Sequence, residues 1–282
     1  MRPIPVHEDR PPRIAICVSG QARTLERTIG YFEKNLLRKL EQPIVFAHVT
    51  DEEDLEKIQL LRPEKYAVGD PPIDEDRYPF TRRMFQWTLN RYKGASGANT
   101  WLNILYQLQS WHVANSLKQQ YERAQGWTFD WVFRIRPDCP PGRPIEQLDL
   151  LDPACVYVPA HDSWGGVCDR FGFGGSRAMD TYASLFAHIE AIAKEHKGID
   201  GMSTEHCLRT HLEEEGIPIR NTRAELLLLR ADGRVIYPCR SRKEDRISWV
   251  MFMRKCIYFA LHRTGELPRI VILALGKRGT NR

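Results

Sequence analysis

Strand-like and helix-like apolar segments alternate along the first part of the chain. Residues 13–19 and 43–49 are compact apolar runs, the first of which ends at Gly20. Between them, residues 24–40 carry apolar side chains at helical spacing, and residues 51–61 predict a second, shorter helix. A strand–helix–strand–helix order predicts a parallel α/β sheet with right-handed crossovers.

The same pattern continues further along the chain. We expect helices over 101–123, 177–196 and 204–215, strands over 129–136 and 155–159, and loops over 69–80 and 161–175. The predicted fold class is therefore α/β: one mostly parallel, Rossmann-like sheet flanked by helices, within a domain of residues 13–238. Hydrophobic residues make up 42% of the chain, which excludes a wholly disordered protein.

Residues 239–282 differ in kind and are predicted as a helical C-terminal extension. Residues 247–261 are strongly apolar but are interrupted by Arg254 and Lys255, and the chain ends in basic residues. Two interpretations stay open. The segment packs on the core as a helix, or it lies at a membrane interface where its basic flank contacts acidic lipid headgroups.

The net charge of +5 indicates an anionic partner without identifying it. An anionic small molecule, a phosphate-rich ligand and an acidic membrane surface are all compatible with this charge. Lysines and arginines are spread along the chain rather than gathered in a stripe, so no nucleic acid is expected among the partners.

The seven cysteines are odd in number and no two lie within four residues, which excludes the CxxC pairs of zinc ribbons. We expect free thiols in a reducing compartment. The sequence contains no apolar region of signal-peptide length, no Asn-x-Ser/Thr acceptor and no apolar stretch of bilayer length. These features predict a cytoplasmic protein that touches a membrane, if at all, through its tail.

The loop after the first predicted strand is a candidate phosphate site. It contains Ser19, Gly20, Gln21 and Arg23 at the edge where open α/β sheets bind ligands. Small residues let backbone amides approach a phosphate, and the Arg23 guanidinium can pair with its oxygens. The alternative is an ordinary strand–helix turn capped by Thr24, since no established phosphate-loop motif is present.

The end of the strand over residues 129–136 carries a second candidate site. Side chains alternate along a strand, so Arg134 and Arg136 share one face, and burying both is costly without anionic partners. Asp138 follows between Pro137 and Pro140, where its carboxylate can coordinate a divalent cation that bridges a diphosphate. The alternative is a structural Arg–Asp network at the sheet edge.

The Gly-rich stretch of residues 161–175 is a third candidate site. Its carboxylates and aromatic rings, including Asp162 and Trp164, suit a polyhydroxylated ligand. Trp164 fits the hydrophobic core equally well.

Glu205 opens a predicted helix and allows two interpretations. It is either a favourable charge in the first turn of a helix capped by Thr204, or a general base that faces the cleft.

Five motifs occur in a characteristic order along residues 13–230. They are Ile-Cys-Val-Ser-Gly-Gln-Ala-Arg-Thr at 16–24, Val-Phe-Ala-His at 45–48, Phe-Asp-Trp-Val-Phe-Arg-Ile-Arg-Pro-Asp at 129–138, Asp-Arg-Phe-Gly-Phe-Gly at 169–174 and Glu-His-Cys-Leu-Arg-Thr-His-Leu at 205–212. With these motifs the chain resembles a broad set of GT-A-like glycosyltransferases from bacterial polysaccharide clusters, algae and large algal viruses. The Ser-Gly-Gln-x-Arg and Arg-x-Arg-Pro-Asp segments are the most specific parts of the resemblance.

The resemblance implies a GT-A-type domain that binds a nucleotide-sugar donor, usually with Mn²⁺ or Mg²⁺. It places the loop of residues 19–23 and His48 beside the donor, and the Arg-Ile-Arg-Pro-Asp segment where relatives have a metal-binding Asp-x-Asp motif. Arg136 stands at the first aspartate position of that motif, so Asp138 is the remaining metal ligand. Asp169 and Glu205 are implied to face the acceptor as candidate catalytic residues.

The predicted function is transfer of a sugar from a nucleoside diphosphate to a hydroxyl group of a glycan or polysaccharide. The alternative is a non-catalytic module that binds a nucleotide or a carbohydrate without turning it over.

Overall fold

The computed structural model describes residues 10–91, 101–145, 147–161, 163, 166–195, 203–222, 224–230 and 235–236. These residues belong to one compact unit, Met1–Pro238. The predicted C-terminal extension of residues 239–282, and with it the predicted membrane contact, lies outside the described residues. No helix among the described residues is both long enough and apolar enough to cross a bilayer.

Seven strands form one mixed sheet. They are β1 Ile14–Ser19, β2 Ile44–Val49, β3 Lys65–Val68, β4 Trp131–Ile135, β5 Val156–Pro159, β6 Phe171–Gly174 and β7 Ile219–Thr222. Their order across the sheet is β3-β2-β1-β4-β6-β5-β7, and β6 runs antiparallel to β4 and β5 while the other neighbours are parallel. Two further short strands, β8 Leu228–Leu229 and β9 Val235–Ile236, pair antiparallel. The predicted fold class, a mostly parallel α/β sheet flanked by helices, is confirmed.

Seven α-helices flank the sheet in the described part of the chain. They are α1 Leu25–Asn35, α2 Glu52–Ile58, α3 Pro79–Arg91, α4 Trp101–Gln125, α5 Ser176–Ala183, α6 Leu185–Glu195 and α7 Thr204–Glu214. The helix predicted over 177–196 is two helices that break at Ser184. The N-cap of α7 is Ser203, whose hydroxyl accepts from the His206 backbone, so the predicted cap at Thr204 is wrong by one residue.

Helix α3 lies partly where a loop was predicted over residues 69–80. Its first turn is capped by a distant carboxylate, because Glu190 on α6 accepts hydrogen bonds from the backbone of Phe80 and from both the backbone and the hydroxyl of Thr81. A cap supplied from more than 100 residues away leaves no local signal in the sequence.

Strand β6 corrects the prediction of a loop over residues 161–175. Phe171–Gly174 is fully buried between β4 and β5, with the Phe173 ring stacked on Phe133 at 4.9 Å. Its glycines are required by close approach, since a Cβ on Gly174 would lie 2.5 Å from the carbonyl oxygen of Cys155. The Phe-Gly-Phe-Gly sequence is therefore a packed central strand.

A buried charge network joins α4 to α5 beneath the sheet. The ammonium group of Lys118 lies 2.9 Å from a Glu122 oxygen and 2.8 Å from an Asp180 oxygen, and it donates to the Ser176 hydroxyl. Ser176 in turn donates to Glu122. The lysine side chain has no exposed surface, so these partners replace its hydration.

The cysteines among the described residues are Cys17, Cys139, Cys155, Cys168 and Cys207, and all are free and buried. The predicted free thiols are confirmed for these five positions. Burial raises the pKa of the Cys17 thiol to about 12, which makes it a poor nucleophile at neutral pH.

Candidate active site

The motifs at residues 16–24 and 129–138 meet at the carboxyl edge of the sheet. Strands β1 and β4 are parallel neighbours with Val18 opposite Ile135. Gly20 turns the chain after β1 with a φ of +115°, a conformation that favours glycine. A Cβ atom added to Gly20 would lie 3.9 Å from the Pro137 ring. The hydroxyl of Thr28 on α1 donates to the Pro137 carbonyl at 2.7 Å.

Arg136 and Asp138 form a two-point ion pair just beyond β4. The guanidinium Nε and Nη2 atoms lie 3.0 and 2.8 Å from the two Asp138 oxygens, and the side chains are 26% and 21% exposed. Burial alone would raise the pKa of Asp138, but the charge and hydrogen bonds of Arg136 lower it below its ordinary value. The pair therefore stays charged at neutral pH and is partly exposed at the carboxyl edge of the sheet.

The residues around Asp138 do not fit a resident Mn²⁺ or Mg²⁺ ion. Both of its carboxylate oxygens already bind the Arg136 guanidinium, and that positive charge disfavours a cation beside it. Within the described part of the chain, the His, Cys and acidic side chains close enough to hold a metal together are His188 on α6, His211 on α7 and Glu215 directly after α7. The metal role of Asp138 stays a prediction that this geometry does not favour.

Arg134 is buried in the core although it shares a strand face with the partly exposed Arg136. It is 3% exposed, its guanidinium lies 4.4 Å from the ring centroid of Trp111, and it donates a hydrogen bond to the Asp169 carbonyl. Burial is the main reason that its pKa falls below the ordinary value. Ser19 is also buried, so neither side chain reaches the surface on which a donor would lie.

The two predicted catalytic carboxyl groups, Asp169 and Glu205, are neighbours. Asp169 precedes β6 and accepts a hydrogen bond from the Gln107 amide at 2.7 Å. Glu205 lies in the first turn of α7, whose start is fixed to the Gly-rich segment by a bond from the Val167 N–H to the Glu205 carbonyl at 3.0 Å. Burial and, second, the charge of Asp169 raise the pKa of Glu205 to about 8.

Arg170 lies among these charged groups. Since Phe171 pairs with Ile135 across β4 and β6, Arg170 lies next to Arg136 at the ends of the two strands. Its charge acts on both Asp138 and Glu205. We refer to Arg136, Asp138, Asp169, Arg170 and Glu205 as the β4-end cluster.

The β1 loop contributes less than its sequence suggests. Gln21 and Arg23 are exposed, but the Asp54 side chain on α2 interacts with the backbone N–H of Ala22. Burial raises the pKa of that carboxyl. An acidic side chain therefore lies beside one of the amides expected to cradle a phosphate.

His48 has the environment of a core histidine. Its ring nitrogens lie 2.7 Å from the Ser110 hydroxyl and 3.1 Å from the Gly69 carbonyl, and its side chain is fully buried. Burial lowers the pKa of His48, so the ring is neutral at neutral pH. This position gives no support to the prediction that His48 contacts a nucleotide-sugar donor.

Two predicted ligand-binding residues, Asp162 and Trp164, lie outside the described residues. Two residues that the sequence analysis did not select, Gln107 and Arg170, contact or act on the predicted carboxyl groups. Arg170 directly follows Asp169, and interpreting residues 171–174 as a strand would have placed it at the sheet edge.

A separate cavity of about 580 Å³ lies between β5, the segment around Gly166, and α7. Arg209 and Glu213 form part of its wall and are ion-paired at 2.8 Å. None of the residues of the β4-end cluster lines it.

The model of one protein family matches residues 9–243, most of the chain, and is described as "Domain of unknown function (DUF7796)". The chain belongs to this family. No curated protein matches the DUF7796 chain.

Solved structures provide 113 matching chains. One is the crystal structure of mouse xyloside xylosyltransferase 1 in its apo form, which is 14% identical, with 74% of this chain and 84% of that chain covered. The TM-score of 0.38 is too low to carry an argument about this chain.

Proposed function

We propose that this DUF7796 protein transfers a sugar from a nucleoside diphosphate donor to a hydroxyl group of a glycan or polysaccharide acceptor. The observation that carries the proposal is the β4-end cluster. It combines a partly exposed Glu205 beside Asp169 with two guanidinium groups at the carboxyl edge of an α/β sheet. Open α/β sheets bind their ligands at this edge.

Glu205 is the proposed general base. A carboxyl group with a pKa of about 8 is partly deprotonated near neutral pH and is a stronger base than an ordinary carboxylate. In the proposed reaction it accepts the proton of the acceptor hydroxyl while the acceptor oxygen attacks the sugar carbon and the diphosphate leaves with the bonding electrons. Asp169 keeps Glu205 basic through its negative charge.

Arg136 and Arg170 are the proposed ligands of the diphosphate. Guanidinium groups form paired, charge-assisted hydrogen bonds with phosphate oxygens and stabilise the charge that develops on the leaving group. Asp138 fixes the Arg136 fork through both of its oxygens. In this proposal the Arg136 and Arg170 guanidinium groups, rather than a metal ion, supply the positive charge next to the diphosphate.

The experiment combines calorimetric titration with nucleoside diphosphate release, using a panel of nucleotide sugars. We expect one donor to bind and to be consumed, and we expect Glu205→Gln to bind that donor while losing turnover by about a hundredfold or more. Glu214→Gln is the matched control, because Glu214 is an exposed glutamate on the same helix.

Three other outcomes are informative. Binding without product by the wild-type protein would favour a non-catalytic nucleotide-binding module. Full turnover by Glu205→Gln would remove Glu205 from the mechanism. No binding by any donor, in a protein shown to be folded, would overturn the proposal.

A further inference from the structure

A small cavity lies in the core beneath the end of β1, and none of the residues of the β4-end cluster lines it. Its volume is about 10 Å³, and it is enclosed by residues of β1, β4, α4 and α5 that are all buried. A space of this size holds one water molecule and no larger ligand.

Four residues that line this cavity carry polar side-chain atoms without a hydrogen-bond partner among the described residues. The atoms are Ser19 Oγ, Trp111 Nε1, Arg134 Nε and the Tyr182 hydroxyl oxygen, each removed from solvent. A buried polar group without a partner is costly, and four of them around one cavity point to a shared ligand.

The hydrogen-bonding capacities of the four atoms are complementary to those of water. Arg134 Nε and Trp111 Nε1 can only donate, whereas the two hydroxyl oxygens can also accept. A water molecule accepts two hydrogen bonds and donates two, so it satisfies all four atoms at once. A halide ion would instead take all four groups as hydrogen-bond donors, and the comparison of chloride with gluconate below separates the two ligands.

We propose that this cavity is a binding site for a single structural water molecule, held by Arg134 and Trp111 as donors and by Ser19 and Tyr182 as acceptors. The water completes the hydrogen bonding of Arg134, whose terminal nitrogen binds the Asp169 carbonyl. Arg134 is then a positioning residue that ties β1, α4 and α5 to the segment carrying Asp169. This inference does not depend on the proposed function.

Thermal unfolding of Tyr182→Phe and Ser19→Ala tests the proposal through the sign of the change. Where a water is bound, each substitution loses a hydrogen bond, and we expect Tm to fall by about 2–4 °C. Where the cavity is dry, each substitution removes an unpaired buried hydroxyl, and Tm stays constant or rises. Either of these last results overturns the proposal.

Tyr157→Phe is the matched control. The Tyr157 hydroxyl accepts a hydrogen bond from the Asp152 backbone at 2.8 Å, so its loss calibrates the effect of one hydrogen bond in this protein. Tm of the wild-type protein is also compared in chloride and gluconate at equal ionic strength. Equal values support water, and stabilisation by chloride that disappears in Ser19→Ala overturns it in favour of an anion.

A crystal structure at 2.0 Å or better gives the direct readout. We expect density for one water within about 3.2 Å of all four atoms. Well-ordered side chains with no density between them would overturn the proposal.

Discussion

Replacing Lys118 by methionine removes the ammonium group that neutralises Glu122 and Asp180 while keeping a side chain of similar length. The Glu122 carboxylate is 8% exposed and the Asp180 carboxylate is 30% exposed, so water can reach the second far better than the first. We therefore expect the variant to fold with one badly solvated negative charge, that of Glu122.

The expected loss follows from this geometry. Removing one partner of a buried ion pair costs about 3–5 kcal/mol, and the partial exposure of Asp180 favours the lower end, about 3 kcal/mol at pH 7. In a unit of this size, such a loss lowers Tm by about 6–12 °C.

Urea unfolding followed by tryptophan fluorescence measures the loss at pH 7. The triple variant Lys118→Met, Glu122→Gln, Asp180→Asn is the control, and we expect it to recover much of the lost stability.

Two results would refute this reasoning. A loss below about 1 kcal/mol at pH 7 would show that the network is solvated or rearranged, since a surface pair is worth no more than that. A triple variant no more stable than Lys118→Met would show that packing of the lysine stem, rather than charge, holds α4 to α5.

Three further predictions concern β6, Glu205 and the arginines. Gly174→Ala should lower the free energy of unfolding, measured in urea, by about 2–3 kcal/mol, because the added Cβ meets the Cys155 carbonyl. Gly30→Ala, where the Cβ enters open space on α1, should leave that free energy unchanged or raise it by up to about 1 kcal/mol. Glu205→Gln should match the wild-type Tm at pH 5 but exceed it at pH 9. The pKa of Glu205 in the folded state is raised to about 8, so the wild-type protein loses stability as pH rises towards that value, whereas glutamine does not titrate. Calorimetry should show that EDTA leaves the affinity for the nucleotide-sugar donor unchanged. Arg170→Met should bind the donor at least about tenfold more weakly, with Arg170→Lys intermediate. Loss of binding in EDTA would instead indicate a metal ion at the site.

Strands β1, β2, β4 and β5 were predictable because they are apolar runs with clear ends. Strands β3 and β7 were not predicted, because each has only four residues, two of which are exposed. Strand β6 was not predicted either, because two of its four residues are glycines, which disfavour strands unless a neighbouring backbone comes close. The decisive contact, between Gly174 and the Cys155 carbonyl, exists only in the folded chain.

Four members of the β4-end cluster, all except Arg170, were selected from the sequence, and their functional roles stay predictions. Strand alternation places Arg134 and Arg136 on the same face of the strand, but it does not show which of the two side chains is buried by neighbouring helices. Trp111 on α4 and Tyr182 on α5 cover Arg134, while Arg136 lies past the end of the strand and pairs with Asp138. Covering by distant helices is a tertiary effect that spacing alone does not show.

The pH dependence of nucleoside diphosphate release tests the general-base role of Glu205 most directly. The account predicts that the rate for the donor identified by calorimetry rises about tenfold per pH unit to about pH 8 and then levels off, as a base with that pKa requires, with Glu214→Gln following the same curve. Glu205→Gln should be slow and lack this rising limb. A wild-type rate that is constant between pH 6 and 9, or the same rising limb in Glu205→Gln, would contradict the account.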